Sequence, residues 1–323
     1  MARAHGVYAE VRSIVVAVAA IGAIAVIGLA RDVVLEWTDA SRTATVLRVA
    51  VTREVFADAV ASIGGPRVDM LPLLAIDGAA SAGGRIDEYV RRTADMIITG
   101  GPFVDAEVLR EIIHRRDQHA RLVDAGAGMP ETFGDQSSTA DGDKRPSPDH
   151  YFWLDADAAI TMAGTIRNAL IAEDPDHADE YRERALQYIV GIREADAASS
   201  RMFGVCRTRA FVEGGGPHFS HLARRYNLLY YAVNELPSGE IPPLAGYAAV
   251  TGNRDLRYIF YDDRTDARLA ESIARISGAS LLPLSSGASA HAKGGRSFSL
   301  AASMRENAER LKIGMECRSG RGE

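Results

Sequence analysis

The longest helical pattern in this chain, over residues 156–199, constrains the fold more than any other feature. Apolar residues recur along it every three or four positions, which is the period of an amphipathic helix. Asp174-Pro175 interrupts the pattern, because proline lacks the amide proton that a helix interior needs. The stripe then resumes, and its members are Ile160, Ala163, Ile166, Leu170, Tyr181, Ala185, Tyr188 and Ile192. So long a stripe needs packing partners along its whole length, so the sequence predicts a connecting helix over residues 156–200 that packs on two lobes.

Strand-like and helix-like segments alternate on the carboxyl side of this helix, and such alternation predicts parallel α/β layers. The amino side begins in the same way, with a strand at 45–51 and a helix at 54–65. At 323 residues the chain exceeds the usual size of one domain, which favours two lobes. The predicted fold is therefore α/β, with two similar lobes that have parallel-type sheets and are joined by a long rigid helix. The later strands are predicted at 209–213, 229–233, 256–261 and 280–284, and the helices at 219–226, 265–277 and 299–315.

The amino-terminal segment predicts the cellular compartment in which the protein acts. Residues 14–30 form an uninterrupted run of apolar and small residues that ends at Arg31-Asp32. Seventeen helical residues rise about 26 Å, near the lower limit for spanning a bilayer. Residues 1–40 are therefore interpreted as an export signal or a membrane anchor with a linker. Either alternative gives an extracytoplasmic protein, anchored in the membrane or secreted.

The other boundaries follow from composition. Residues 124–149 are rich in Gly, Asp, Ser, Thr and Pro with almost no periodic apolar residues, which is typical of a mobile loop. The amino-terminal lobe is thus predicted at 41–155, including this loop, and the carboxyl-terminal lobe at 201–323.

Charge and motifs exclude two classes of function. The net charge of −6 and the lack of a basic patch argue against binding to nucleic acid. The chain contains no nucleophile elbow, phosphate-binding loop, His-Glu-x-x-His or Cys-x-x-Cys motif, so the sequence does not indicate an enzyme.

The segment Asp149-His150-Tyr151-Phe152-Trp153-Leu154-Asp155 precedes the long helix. It resembles the central signature of the zinc/manganese substrate-binding proteins of ABC importers, in which a proline and a metal-binding histidine are separated from Trp-Leu-Asp by one residue. Further segments match that family in order and spacing, at residues 54–65, 86–101, 222–228, 260–263 and 270–283. The resemblance implies a two-lobed binding protein that delivers Zn²⁺ or Mn²⁺ to an ABC transporter permease.

The resemblance also locates the family's metal ligands in this chain, and most of them are replaced. The three histidine positions fall at Ala79, Tyr151 and Gly216, whereas the carboxylate position is kept as Asp262. Imidazole and carboxylate groups are the ligands that suit Zn²⁺ and Mn²⁺. The residues nearest to the lost positions would form a rearranged site, which would consist of Asp77, His150, His218 and Asp262.

Two hypotheses about function therefore remain. One is a metal-ion receptor with a divergent site that has partly or wholly lost its function. The other is a module of the same fold that binds a different small ligand or a protein. The family resemblance also suggests a disulfide between Cys206 and Cys317, although two unpaired buried thiols are equally compatible with the sequence.

Overall fold

The computed structural model describes residues 46–73, 88–114, 119–129, 150–233, 256–288 and 298–318. The predicted signal or anchor at 1–40, most of the predicted mobile loop and the candidate ligand Asp77 lie outside these residues. In the described part of the chain, no helix is both long enough and apolar enough to cross a membrane.

Two parallel four-stranded sheets form the centres of two lobes. In the amino-terminal lobe (N-lobe) the strand order is β2-β1-β3-β4, and in the carboxyl-terminal lobe (C-lobe) it is β6-β5-β7-β8. Both lobes thus repeat one topology, as predicted. The strands are β1 Leu47–Val51, β2 Val68–Pro72, β3 Met96–Thr99, β4 Arg121–Asp124, β5 Ala210–Gly214, β6 Leu229–Val233, β7 Tyr258–Asp262 and β8 Ser280–Leu284.

The described helices cover the sheets and connect the lobes. Those that follow N-lobe strands are α1 Glu54–Gly64, α2 Glu88–Thr93 and α3 Ala106–His114, and the connection is formed by α4 Ala156–Glu173 and α5 Ala178–Met202. The C-lobe contains α6 Ser220–Arg225, α7 Arg268–Ser277 and α8 Leu300–Gly314.

The single connecting helix predicted for residues 156–200 is in fact two helices. They are joined by the 3₁₀ turn Pro175–His177 and pack against each other. Proline at the start of this turn cannot donate the hydrogen bond that a continuous helix requires. The second helix, α5, packs on α1 of the N-lobe and on α8 of the C-lobe, so it is the element that spans both lobes.

The Trp153-Leu154-Asp155 segment holds the start of this connection in place. Trp153 is fully buried in the main core and forms an edge-to-face contact with Phe56 of α1. The side chain of Asp155 caps α4 by accepting hydrogen bonds from the amides of Asp157 and Ala158. A capping aspartate typically stabilises a helix by about 1 kcal/mol, so the segment anchors both the core and the helix start.

A disulfide joins Cys206 to Cys317 and resolves the choice that the sequence leaves open. It links the chain just before β5 to the segment that follows α8, two regions that also form an isolated antiparallel bridge. The C-lobe is therefore closed covalently near its carboxyl terminus.

Candidate functional site

The carboxyl ends of the central strands of both lobes meet in a contact region that we call the interlobe cleft, where Arg53 and Val55 of the N-lobe donate hydrogen bonds to Ala288 and Gly287 of the C-lobe. It is formed by the segments that follow β1, β3, β5, β7 and β8, and by Tyr151. In each sheet the strand order reverses between two central strands, β1 and β3 in one and β5 and β7 in the other. Ligands of open α/β sheets bind outside such reversal points, so the cleft is the candidate site.

Two of the candidate ligands, His218 and Asp262, lie together in the C-lobe wall of the cleft. Both are buried, with exposures of 9% and 1%. The imidazole of His218 is close enough to lower the pKa of Asp262, although burial dominates and raises that pKa above its ordinary value. The structure thus brings together half of the predicted ligand set.

Glu213 is a third member of this cluster and is absent from the predicted ligand set. It lies on β5, is fully buried, and its Oε1 is 2.5 Å from Nδ1 of His218. The hydroxyl of Tyr230 donates to the other carboxylate oxygen of Glu213 and lies 3.0 Å from the carbonyl of Gly216. Burial raises the pKa of Glu213, and the hydrogen bonds from His218 and Tyr230 oppose that rise. A glutamate inside an otherwise apolar strand was the signal that could have found it.

His218 fills the space beside Gly216, the position where the family resemblance predicts a histidine. A Cβ atom on Gly216 would lie 3.0 Å from Cε1 and 3.1 Å from Nε2 of the His218 ring. The backbone of Gly216 has a φ of 139°, which L side chains rarely adopt. An imidazole is therefore still present at this point of the cleft, but it comes from two residues further along the chain.

Asp262 is bonded mainly to its own lobe. One carboxylate oxygen accepts from the amides of Arg264 and Ser286, and the other accepts from the Ser286 hydroxyl at 2.7 Å. The carbonyl of Ser286 in turn accepts a 2.6 Å hydrogen bond from the indole of Trp153. Asp262 thus connects the turns after β7 and β8 to the start of the connecting helices.

Tyr151 stands where the family resemblance predicts the second histidine. Its ring makes edge-to-face contacts with His218 and Trp153, at centroid distances of 5.1 and 5.6 Å. A neutral phenol with an ordinary pKa near 10 is a poorer metal ligand than an imidazole. Here the residue contributes ring packing in the cleft.

His150 faces a different set of groups. Its pKa is lowered mainly by burial and also by the Arg53 guanidinium, while the Asp105 carboxylate opposes both effects. Nδ1 of His150 is buried without a hydrogen-bond partner among the described residues. His150 therefore belongs to the N-lobe wall, whereas His218 and Asp262 form part of the opposite wall.

The N-lobe wall is built around the carboxylate of Asp105. It accepts hydrogen bonds from the Thr52 hydroxyl at 2.7 Å, the Gly100 amide at 2.7 Å and the Arg53 guanidinium at 2.9 Å. Across the described residues, no three His, Cys, Asp or Glu side chains are arranged so that they could hold a metal ion. His218 and Asp262 are bonded to groups of the C-lobe wall, whereas His150 lies beside Arg53 and Asp105 in the N-lobe wall, so the candidate ligands do not converge on one point.

Comparison with known proteins identifies relatives of this architecture. Residues 49–314 match the family model described as zinc-uptake complex component A, periplasmic. The zinc-binding protein AdcA of Streptococcus pyogenes serotype M1 is 23% identical over 209 residues, covering 59% of this chain but only 39% of AdcA. The zinc-binding lipoprotein AdcA of Streptococcus pneumoniae strain R6 is 26% identical over 154 residues, which is 47% of this chain and 30% of that protein. The chain therefore spans well under half the length of these curated relatives.

Solved structures share the fold at low sequence identity. The crystal structure of ZnuA superposes with a TM-score of 0.67 and 17% identity, covering 83% of this chain and 99% of that chain. The substrate-binding protein FpvC of Pseudomonas aeruginosa in complex with Mn²⁺ gives a TM-score of 0.67 and 22% identity, with coverage of 84% and 99%. These similarities establish the two-lobed fold.

Proposed function

We propose that this chain, which belongs to the zinc-uptake complex component A family, is the substrate-binding component of an ABC importer of the zinc/manganese class. We also propose that its metal site is divergent. The family consists of transport proteins and not of enzymes. The match runs from β1 to the end of α8 and so includes both lobes and the cleft between them.

The hydrogen bonds of the candidate metal ligands support the proposal that the metal site is divergent. Nδ1 of His218 is bonded to Glu213, which leaves Nε2 as its one possible metal ligand, and the Asp262 carboxylate already accepts three hydrogen bonds. Zn²⁺ sites in proteins usually have four ligands, and Mn²⁺ prefers carboxylate and carbonyl oxygens. The described residues therefore do not fit a complete site of either kind.

The proposed residual site consists of His218 and Asp262, with His150 and Asp77 as the remaining candidate ligands. His218 and Asp262 are already neighbours, whereas His150 is near Arg53, whose positive charge disfavours a cation beside it. Asp77 lies outside the described residues. We expect such a site to bind Zn²⁺ or Mn²⁺ weakly.

The proposed function also implies a cellular location and a protein partner. The protein acts outside the cytoplasm, held at the membrane by its amino-terminal segment or secreted, and it docks on an ABC permease. The periplasmic description of the family supports this location.

Two measurements on the full-length protein test the proposal. Cross-linking in membranes of the source organism, followed by mass spectrometry, should capture an ABC permease.

Calorimetric titration of metal-free protein should detect weak binding of Zn²⁺ or Mn²⁺ and no comparable binding of Mg²⁺. Replacement of His218 by alanine should abolish the signal, whereas replacement of the exposed His119 should leave it unchanged.

The internally paired donors also favour the second candidate, a binding or interaction module that does not use metal. That candidate predicts no titration signal with any divalent ion and cross-links to a protein other than a permease. A high-affinity signal that His218→Ala and Asp262→Ala both abolish would instead show that the site is intact, and the divergent-site proposal would then be wrong.

A further inference from the structure

A buried ion pair crosses the cleft from one lobe to the other. Glu54, the first residue of α1 in the N-lobe, is 5% exposed, and its Oε2 lies 3.3 Å from the guanidinium of Arg264 in the C-lobe. The Arg264 side chain is itself only 14% exposed. It also contacts Asp263 at 3.3 Å and lies over the ring of Phe298 at 5.8 Å from the centroid. Such a pair is screened little by solvent, because Glu54 is buried and Arg264 is partly buried.

Direct hydrogen bonds between the lobes surround this ion pair. The amide of Val55 donates to the carbonyl of Gly287 at 3.3 Å, and the guanidinium of Arg53 donates to the carbonyl of Ala288 at 3.0 Å. These contacts all involve the amino end of α1 on one side and the segments after β7 and β8 on the other. They lie at the same strand ends that define the candidate site.

Two arginine guanidinium groups therefore stand where a receptor for cations would need negative or neutral donors. Arg264 is next to the Asp262 segment, since its amide donates to the Asp262 carboxylate. A divalent cation entering this part of the cleft would be repelled by Arg264 and would compete with it for Glu54. Removal of one partner of a buried pair, in contrast, leaves an uncompensated charge and is strongly unfavourable.

We infer that Arg264 serves as the built-in cation of this cleft: its guanidinium neutralises Glu54 of the opposite lobe and holds the lobes closed without a bound metal ion. Arg264 is thus a specificity-determining residue that excludes divalent cations from the Glu54 side of the cleft. This inference goes beyond the proposed transport function, and its test requires neither metal binding nor transport.

Hydrogen exchange measured by NMR on the full-length protein tests the inference at individual protons. The Val55 amide and the Trp153 indole N–H both donate to segment 285–288 of the C-lobe, so their exchange reports on the cleft contact. The Thr52 amide donates to Ile98 within the N-lobe and serves as an internal reference. In Arg264→Gln we expect exchange of the first two protons to accelerate by about tenfold or more, with Thr52 changing little.

Matched variants separate the ion pair from general damage. Arg268→Gln removes an exposed arginine that pairs with Asp266 on the same lobe, and exchange at Val55 and Trp153 should stay at the wild-type rate. The double variant Glu54→Gln with Arg264→Gln removes both charges and should return exchange toward that rate.

Three outcomes would overturn the inference. One is an unchanged exchange rate at Val55 and Trp153 in Arg264→Gln. Another is equal acceleration at Thr52, which would indicate global destabilisation instead of cleft opening. The third is faster exchange at Val55 when EDTA is added to the wild-type protein, since closure would then depend on a bound ion.

Discussion

Asp262 stands where the family resemblance predicts a retained carboxylate, and its hydrogen bonds give it a structural role. It accepts from two amides and one hydroxyl, which belong to Arg264 and Ser286. Because Asp262 is only 1% exposed, no water could take its place as the acceptor for these donors if the carboxylate were removed. The residue therefore supports the cleft wall whether or not an ion binds there.

Replacing Asp262 by alanine should lower the free energy of unfolding by about 1–3 kcal/mol, the usual cost of leaving buried polar groups unsatisfied. Urea denaturation followed by circular dichroism would measure this loss. Asp266→Ala is the matched control, because Asp266 pairs with Arg268 on the surface, where a solvent-screened ion pair contributes little to stability. Equal losses in the two variants would contradict the structural role of Asp262.

Asp58 predicts a specific dependence of stability on pH. Its carboxylate, on α1, accepts from the Tyr188 hydroxyl of α5 and from the Leu300 amide of α8, both at 2.9 Å. Burial raises the pKa of Asp58 above the ordinary value of 3.8, and these two hydrogen bonds only partly oppose the rise. The folded protein therefore binds more protons than the unfolded chain just above pH 3.8, so this group's contribution to stability falls as pH rises through the window.

Asp58→Asn should remove that dependence, because the amide oxygen still accepts both hydrogen bonds but does not titrate. The difference in unfolding free energy between wild type and variant should favour the wild type increasingly as pH falls from neutral towards 3.8. Denaturation curves collected across that range would measure it. A difference that is constant with pH would show that Asp58 titrates alike in both states.

Among the described elements, those with a strong local pattern agree with the sequence predictions. Strands β6 and β8 have the predicted bounds, because short apolar runs flanked by turn residues specify them locally. Asp174-Pro175 indicates an interruption in the sequence, yet the pattern on both sides of it predicts one connecting element. The stripe continues in register on both sides of the proline, so the pattern alone does not reveal that the chain folds back there.

The site could be predicted less well, because its contacts join residues that are distant in the sequence. His218 and Asp262 were found through their position relative to a family pattern. Glu213 was missed because a charged residue in a strand does not reveal its partner. The pairing of Glu54 with Arg264 connects positions 210 residues apart, and no periodicity in the sequence encodes such a contact.

The disulfide between Cys206 and Cys317 should stabilise the C-lobe substantially. The two cysteines are 111 residues apart, and the chain-entropy model gives about 4.7 kcal/mol for a loop of roughly 100 residues. The double variant Cys206→Ser with Cys317→Ser should therefore lose about 2–5 kcal/mol, measured by denaturant unfolding under oxidising conditions. Added reductant should lower the wild type to the same value and leave the variant unchanged. Two freely alkylated thiols in the exported protein would refute the bridge.

The arrangement of the whole molecule predicts limited motion between the lobes. Helix α5 packs on α1 and α8 together, and Asp58 of the N-lobe bonds the first residue of α8 in the C-lobe. A large hinge rotation would have to break these contacts along with those of the cleft. Small-angle scattering profiles recorded with Zn²⁺ and with EDTA should therefore coincide. Profiles that differ by a large change in radius of gyration would contradict this rigidity.

The thermal response to metal ions combines the loss of ligands with the internal closure of the cleft. A tight site would stabilise the folded state by RT ln(1 + [L]/Kd), which is about 4 kcal/mol at a thousandfold excess over Kd. In a protein of this size that corresponds to a rise of roughly 10 °C in Tm. Ala79, Tyr151 and Gly216 supply no imidazole at the three positions where the resemblance predicts histidines, and Arg264 is already paired with Glu54. We therefore expect Zn²⁺ or Mn²⁺ to raise Tm by only about one or two degrees. EDTA should not change the Tm of the protein as purified. A large rise in Tm that EDTA reverses would instead demonstrate a rearranged high-affinity site. In that case the rise should be abolished by Asp262→Ala combined with either His150→Ala or His218→Ala.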